Sequence, residues 1–168
     1  KQYHVNNALH FDLNEFTHAE ISITQSEHEN FHNRPDTIDS RFEAAVLGNG
    51  GPNGDLSWNL FNPLENDPQL IEYLKGSEQS FKIGKLTNVD GIIKTLIRGN
   101  DVVCGFQWSE ESLKIDYNDL GRAEFDNSGK QIKTADLLFL GGGKNVSSNR
   151  NKIAFFTEIK RTFSDNFD

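Results

Sequence analysis

The sequence predicts a mainly β, antiparallel domain, a β-sandwich or jelly roll, carrying one short helix at about residues 67–75. Three observations lead there. Short runs with a two-residue apolar period recur along the chain. Glycine, asparagine, aspartate and serine cluster between those runs, where tight turns need positive φ. Amphipathic helical periodicity is nearly absent, and series of short strands with such turns mark sandwiches and jelly rolls.

The elements follow in order. The first 32 residues, which bear all five histidines, read as a polar N-terminal arm, and "AEISITQ" within them as a strand alternating through Ile21 and Ile23. "RFEAAVLGN" alternates through Phe42, Ala44 and Val46, and "LSWNLF" follows as a further strand. The helix is "NDPQLIEYLKG": Asp67 caps it, Pro68 fits its first position, Gly76 stops it, and Leu70, Ile71 and Leu74 share a face. Strands are then predicted in "SFKIGKL", "IIKTLI", "DVVCGFQW", "SLKIDY", "RAEFD", "QIKTADLLFL" and "KIAFFTEIKRTF". Hairpins are expected at Arg98–Asp101, Ser109–Glu111 and Asp126–Gly129. No linker divides the chain, so residues 1–168 are expected to form a single β-rich domain.

Composition narrows the function. The 168 residues carry a formal net charge of -8 and 13 Phe without any Met. Phenylalanine in that quantity argues against disorder. The negative charge argues against nucleic acid and against anionic membrane surfaces. No apolar run approaches the ~20 residues of a spanning helix, so membrane insertion is not expected. A lone Cys104 excludes an internal disulfide. The chain opens on Lys1, which suggests a processed product or excised domain of extracellular or periplasmic location.

Several stretches invite chemistry. "HENFH" matches H-E-x-x-H, in which His28 and His32 would hold zinc and Glu29 would act as base. That motif works on a helix. Here a strand pattern precedes it and Pro35 follows, and on a strand the two imidazoles would lie about 13 Å apart. All five histidines fall within the first 32 residues, and adjacent strands could bring several together. In "DYNDLGRAEFDN", Asp116 and Asp119 offer oxygen ligands to calcium, although Leu120 and Asn127 break the EF-hand pattern. This stretch also resembles the acidic calcium loops of tellurite-resistance β-sandwich domains, without their run of aspartates. Asp136, Glu158 and Lys160 resemble the acidic pair and lysine of PD-(D/E)XK nucleases, which would imply Mg²⁺ and nucleic acid. Scarcity of helix and the negative charge oppose that resemblance.

The expected function is therefore a binding module for a glycan or a protein surface. Its ligand residues would be Asn49, Asn53, Asp55 and Trp58, where amides and a carboxylate flank an indole face. Calcium or zinc is the cofactor class that the acidic loop and the histidines allow. A zinc hydrolase built on His28, Glu29 and His32 is the alternative. An acidic inhibitor of a basic enzyme is a further one.

Overall fold

The computed structural model describes residues 1–161. The chain is mainly β and antiparallel, as its alternation predicts, with five strands in the main sheet and two in a small one. The order in the large sheet is β1-β2-β3-β4-β7: Gln2–Asn14, Thr17–Thr37, Lys75–Ile97, Asn100–Tyr117 and Val146–Arg161. β5 (Glu124–Phe125) and β6 (Gln131–Lys133) form the small one. Two helices, α1 (Asp39–Val46) and α2 (Pro68–Leu74), and a 3-10 turn at Pro63–Glu65 complete the elements.

The described residues form two compact units, one of residues 1–29, 83–113 and 148–161, the other of residues 30–82 and 114–147. The first is sheet throughout. Its hairpins close through two residues each, Glu15-Phe16 and Arg98-Gly99. Arg98 (φ 52°) and Gly99 (φ 78°) both take positive φ, the requirement of a type I′ turn. At the other turn the Asn14 side chain accepts the Phe16 N–H at 2.9 Å.

The second unit has a small core. Ala45, Leu70 and Leu74 are buried, with Phe42, Leu56, Trp58 and Tyr73 packed against them. Phe42 and Ala45 stand three residues apart, and this helical spacing outweighs the apparent strand alternation of "RFEAAVLGN", which folds as α1 as far as Val46. Its free N–H groups find a distant cap: Asp136 accepts from the Ser40 N–H at 2.8 Å and from its hydroxyl at 2.7 Å. α2 forms where the sequence places it, and the Asp67 carboxylate accepts the Gln69 N–H at 2.7 Å. Ile71, expected on the inner face, is exposed. "LSWNLF" is a loop that touches Gly50 through a single bridge at Leu56.

Other boundaries shift. The histidine-rich arm is strand β1 from Gln2 onward, and "HENFH" lies inside β2. "SFKIGKL" and "IIKTLI" fuse into β3, and Ser109–Glu111 continues β4 instead of turning. "QIKTADLLFL" keeps only β6 as strand. Residues 162–163 of the last predicted strand lie outside the described residues.

The Asp126–Gly129 turn joins β5 to β6 as expected. Asp126 accepts from the Ser128 hydroxyl at 2.6 Å, the Ser128 N–H at 2.8 Å and the Lys130 N–H at 3.0 Å. The Ser128 hydroxyl first, then the Lys130 N–H, lower the Asp126 pKa. A depressed carboxyl stabilises the turn above its unfolded pKa and loses that stabilisation as pH falls through the folded value. Acidification is expected to lower the protection of the Ser128 and Lys130 amides, measured as exchange relative to the intrinsic rate at each pH. Asp126→Asn should remove that pH dependence, which NMR exchange rates would read.

Candidate functional site

Pleating divides the first unit's sheet into two faces of opposite chemistry. Register fixes the assignment on β1 and β2, where Leu9 pairs with Ile21, Phe11 with Ala19, His10 with Glu20 and Asp12 with His18. Cross-strand contacts extend it. The Thr17 and Thr95 hydroxyls hydrogen-bond at 2.8 Å, and Glu27 pairs with Lys85 at 2.9 Å. The Phe106 ring covers Gly91, Gln107 donates to Asp90 at 2.7 Å, and Phe156 covers Gly105. Glu111 binds Lys152 at 2.6 Å and also Arg150.

One face is apolar along every strand. It carries Tyr3, Val5, Leu9, Phe11 and Leu13 on β1, and Ala19, Ile21 and Ile23 on β2. β3 adds Val89, Ile93 and Ile97, β4 adds Val102, Phe106 and Trp108, and β7 adds Ile153, Phe155 and Ile159. Most of these side chains stay open, Leu9 being 63% exposed, Ile93 47%, Ile153 67% and Phe155 81%, while Ala19, Val89, Val102 and Trp108 are half-buried. Polar groups on this face largely satisfy one another, as the two threonines do and as Thr157 does by donating to Cys104 Sγ at 3.6 Å. Asn7 is an exception, standing opposite Ile23. Farther from the turns the face becomes polar, at Gln25 and the Glu27–Lys85 pair.

The opposite face is polar. On β1 it carries Gln2, His4, Asn6, Ala8, His10 and Asp12; on β2, His18, Glu20, Ser22, Thr24, Ser26 and His28. β3, β4 and β7 add Asp90, Lys94, Gln107, Glu111, Arg150 and Lys152, with Leu86, Ile92, Leu96, Val103, Leu113 and Phe156 as apolar exceptions. A hollow of about 360 Å3 lies here, lined by His10, Asp12, His18, Glu20, Ile92 and Lys94 among others. In it His10 Nδ1 stands 3.2 Å from Glu20, and His18 Nδ1 stands 2.6 Å from Asp12. These groups can donate and accept hydrogen bonds to a polar solute.

The residues expected to bind ligand are placed as follows. Trp58 packs edge-on against Phe42, with ring centroids 5.6 Å apart. Asn49 donates its backbone N–H to Ala44 at 2.9 Å, while its side chain and those of Asn53 and Asp55 are exposed. Asp116 pairs with Lys114 at 2.6 Å, and Asp119 with Arg122 at 2.8 Å. His28 and His32 both lie on β2, the strand geometry in which four residues separate them along one side. Among the described residues, no group of three or more His, Cys, Asp or Glu side chains is placed to hold a metal. None of the helices among the described residues is long and apolar enough to cross a membrane.

The two-faced sheet was missed in the sequence although its signal is present. Tyr3, Val5, Leu9, Phe11 and Leu13 are all odd, and His4, His10, His18, His28 and His32 are all even. No protein-family model, curated protein or solved structure matches the chain.

Gly91 is held to glycine by this packing. A Cβ there would stand 2.2 Å from the Phe106 ring. Gly91→Ala is expected to destabilise the protein by roughly 1–3 kcal/mol, the usual scale of overpacking. Gly91→Ala combined with Phe106→Leu should recover part of that loss in denaturant unfolding.

Proposed function

We propose that the first unit is a section of the wall of a membrane-spanning β-barrel, its apolar face turned to lipid and its polar face to the interior. The observation that carries this reading is the open apolar face, continuous over five strands and backed by a polar one. Apolar residues left uncovered in water would each forfeit the stabilisation of burial. Hydrocarbon removes that penalty.

Dimensions agree. The apolar positions run over residues 3–13 of β1 and 89–97 of β3, close to the ~9–11 residues with which a tilted strand crosses a bilayer. Strand lengths of 13 to 23 residues also exceed the ~5–6 common in globular proteins. The hairpins β1–β2 and β3–β4 close through two residues, whereas residues 38–74 and 118–145 connect the opposite strand ends. Short turns on one side and long connections on the other are the habit of such barrels. Among the described residues β1 and β7 each pair on one side only, so the wall would be completed by further strands. A net charge of -8 does not oppose this, because a strand needs an apolar face and not an apolar sequence. The polar inner face, with its imidazole–carboxylate pairs, suits hydrogen-bonding and charged solutes.

Nitroxide labels placed singly from Val102 to Trp108, Gly105 excepted, in the protein reconstituted in lipid, test the reading. Labels at 102, 104, 106 and 108 should be reached by oxygen and shielded from a water-soluble nickel chelate, and labels at 103 and 107 the reverse. Equal access to the chelate at both sets would overturn it. Phe106→Arg should cost about 2–4 kcal/mol of stability in the bilayer if it lies near the midplane, and Gln107→Arg far less.

A further inference from the structure

The segment between α1 and α2, in the second unit, holds a built feature that neither the core nor the sheet uses. Two asparagines staple it. Asn66, only 6% exposed, accepts the Asn59 N–H at 2.7 Å and donates its side-chain amide to Pro63 O at 3.0 Å and Asn59 O at 3.3 Å. Asn59 in turn accepts the N–H groups of Phe61 at 3.0 Å and Asn62 at 2.9 Å. The loop is thus pinned in one conformation at both ends, and Leu56 and Trp58 just before it pack on the core.

What the staple presents is apolar. Phe61 is 101% exposed and Leu64 is 96% exposed, on the same tight turn. A mobile loop could fold such side chains inward, but this one is held with them outward. The segment is acidic: residues 42–74 contain Glu43, Asp55, Glu65, Asp67 and Glu72 and no Lys, Arg or His, while Arg41 and Lys75 at its two ends are engaged with Tyr73 O and Glu72.

We propose that Phe61 and Leu64 form a docking tip for a second protein, inserting into an apolar pocket rimmed by lysine or arginine. A preformed aromatic anchor loses little conformational freedom on binding. The acidic surroundings would steer a basic rim toward it and would repel an anionic lipid surface. The argument rests on the loop alone and does not depend on the barrel reading.

A photoreactive benzophenone amino acid in place of Phe61, irradiated in cells that make the protein, identifies what touches the tip. The captured protein is then purified and titrated against the wild-type chain. Binding should weaken as salt rises. Phe61→Ser and Leu64→Ser should each raise Kd about tenfold or more, and Glu65→Lys a few-fold, with Trp58 emission unchanged as the sign of an intact core. Asn66→Ala should also weaken binding with both apolar side chains present, because it frees the loop. Adducts only with phospholipid, no adduct at all, or a captured protein that binds Phe61→Ser as tightly as wild type would each overturn the proposal.

Discussion

Two-residue alternation, kept in register from strand to strand through the body of the sheet, is the constraint on which the first unit depends. The Thr17–Thr95 and Glu27–Lys85 pairs lie on one register between β2 and β3. Glu111–Arg150 and Cys104–Thr157 likewise lie on one register between β4 and β7. The one recorded irregularity of the β1–β2 ladder sits at its end, between Asp12 and Asn14. A shift of β2 by one residue would carry Ile21 and Ile23 to the side of His10 and Asp12 and scramble both faces at once. Gly91 and Gly105 serve the same order, because each leaves room for a neighbouring strand's aromatic ring.

The second unit depends instead on side-chain amides and carboxylates that satisfy backbone groups. Asn118 accepts the N–H groups of Gln79 and Gly121, both at 3.0 Å, and donates to Ser77 O at 2.9 Å. Asp36 accepts from Phe139 at 3.1 Å and Leu140 at 3.0 Å, tying residues about a hundred positions apart. Irregular backbone needs such partners, since a buried N–H without one is costly. The abundance of Asn and Asp that suggests ligand binding in the sequence is thus partly structural.

The mainly β character and α2 were legible because each rests on local signals: period-two runs, turn residues, a cap and a following proline. α1 was not, because "RFEAAVLGN" satisfies both periods, and only the core formed with Leu70 and Leu74 decides between them. β1 was hidden by composition. Its histidines, asparagines and aspartate make it read as a polar arm, although every second residue is mostly apolar. Ser109–Glu111 imitates a turn because a polar cluster ordinarily marks one; inside a strand of 18 residues it marks a stretch that is polar on both faces. The two-faced sheet was illegible as a site because its meaning lies in exposure, and exposure is a property of the assembled sheet.

The two free edges among the described residues bear on where the sheet is stable. In water, unpaired strands beside an uncovered apolar face are templates for indiscriminate pairing between chains. On the proposed barrel reading, burial of that face in lipid and pairing of those edges with further strands would remove both liabilities together, so the sheet would be stable only where both are met.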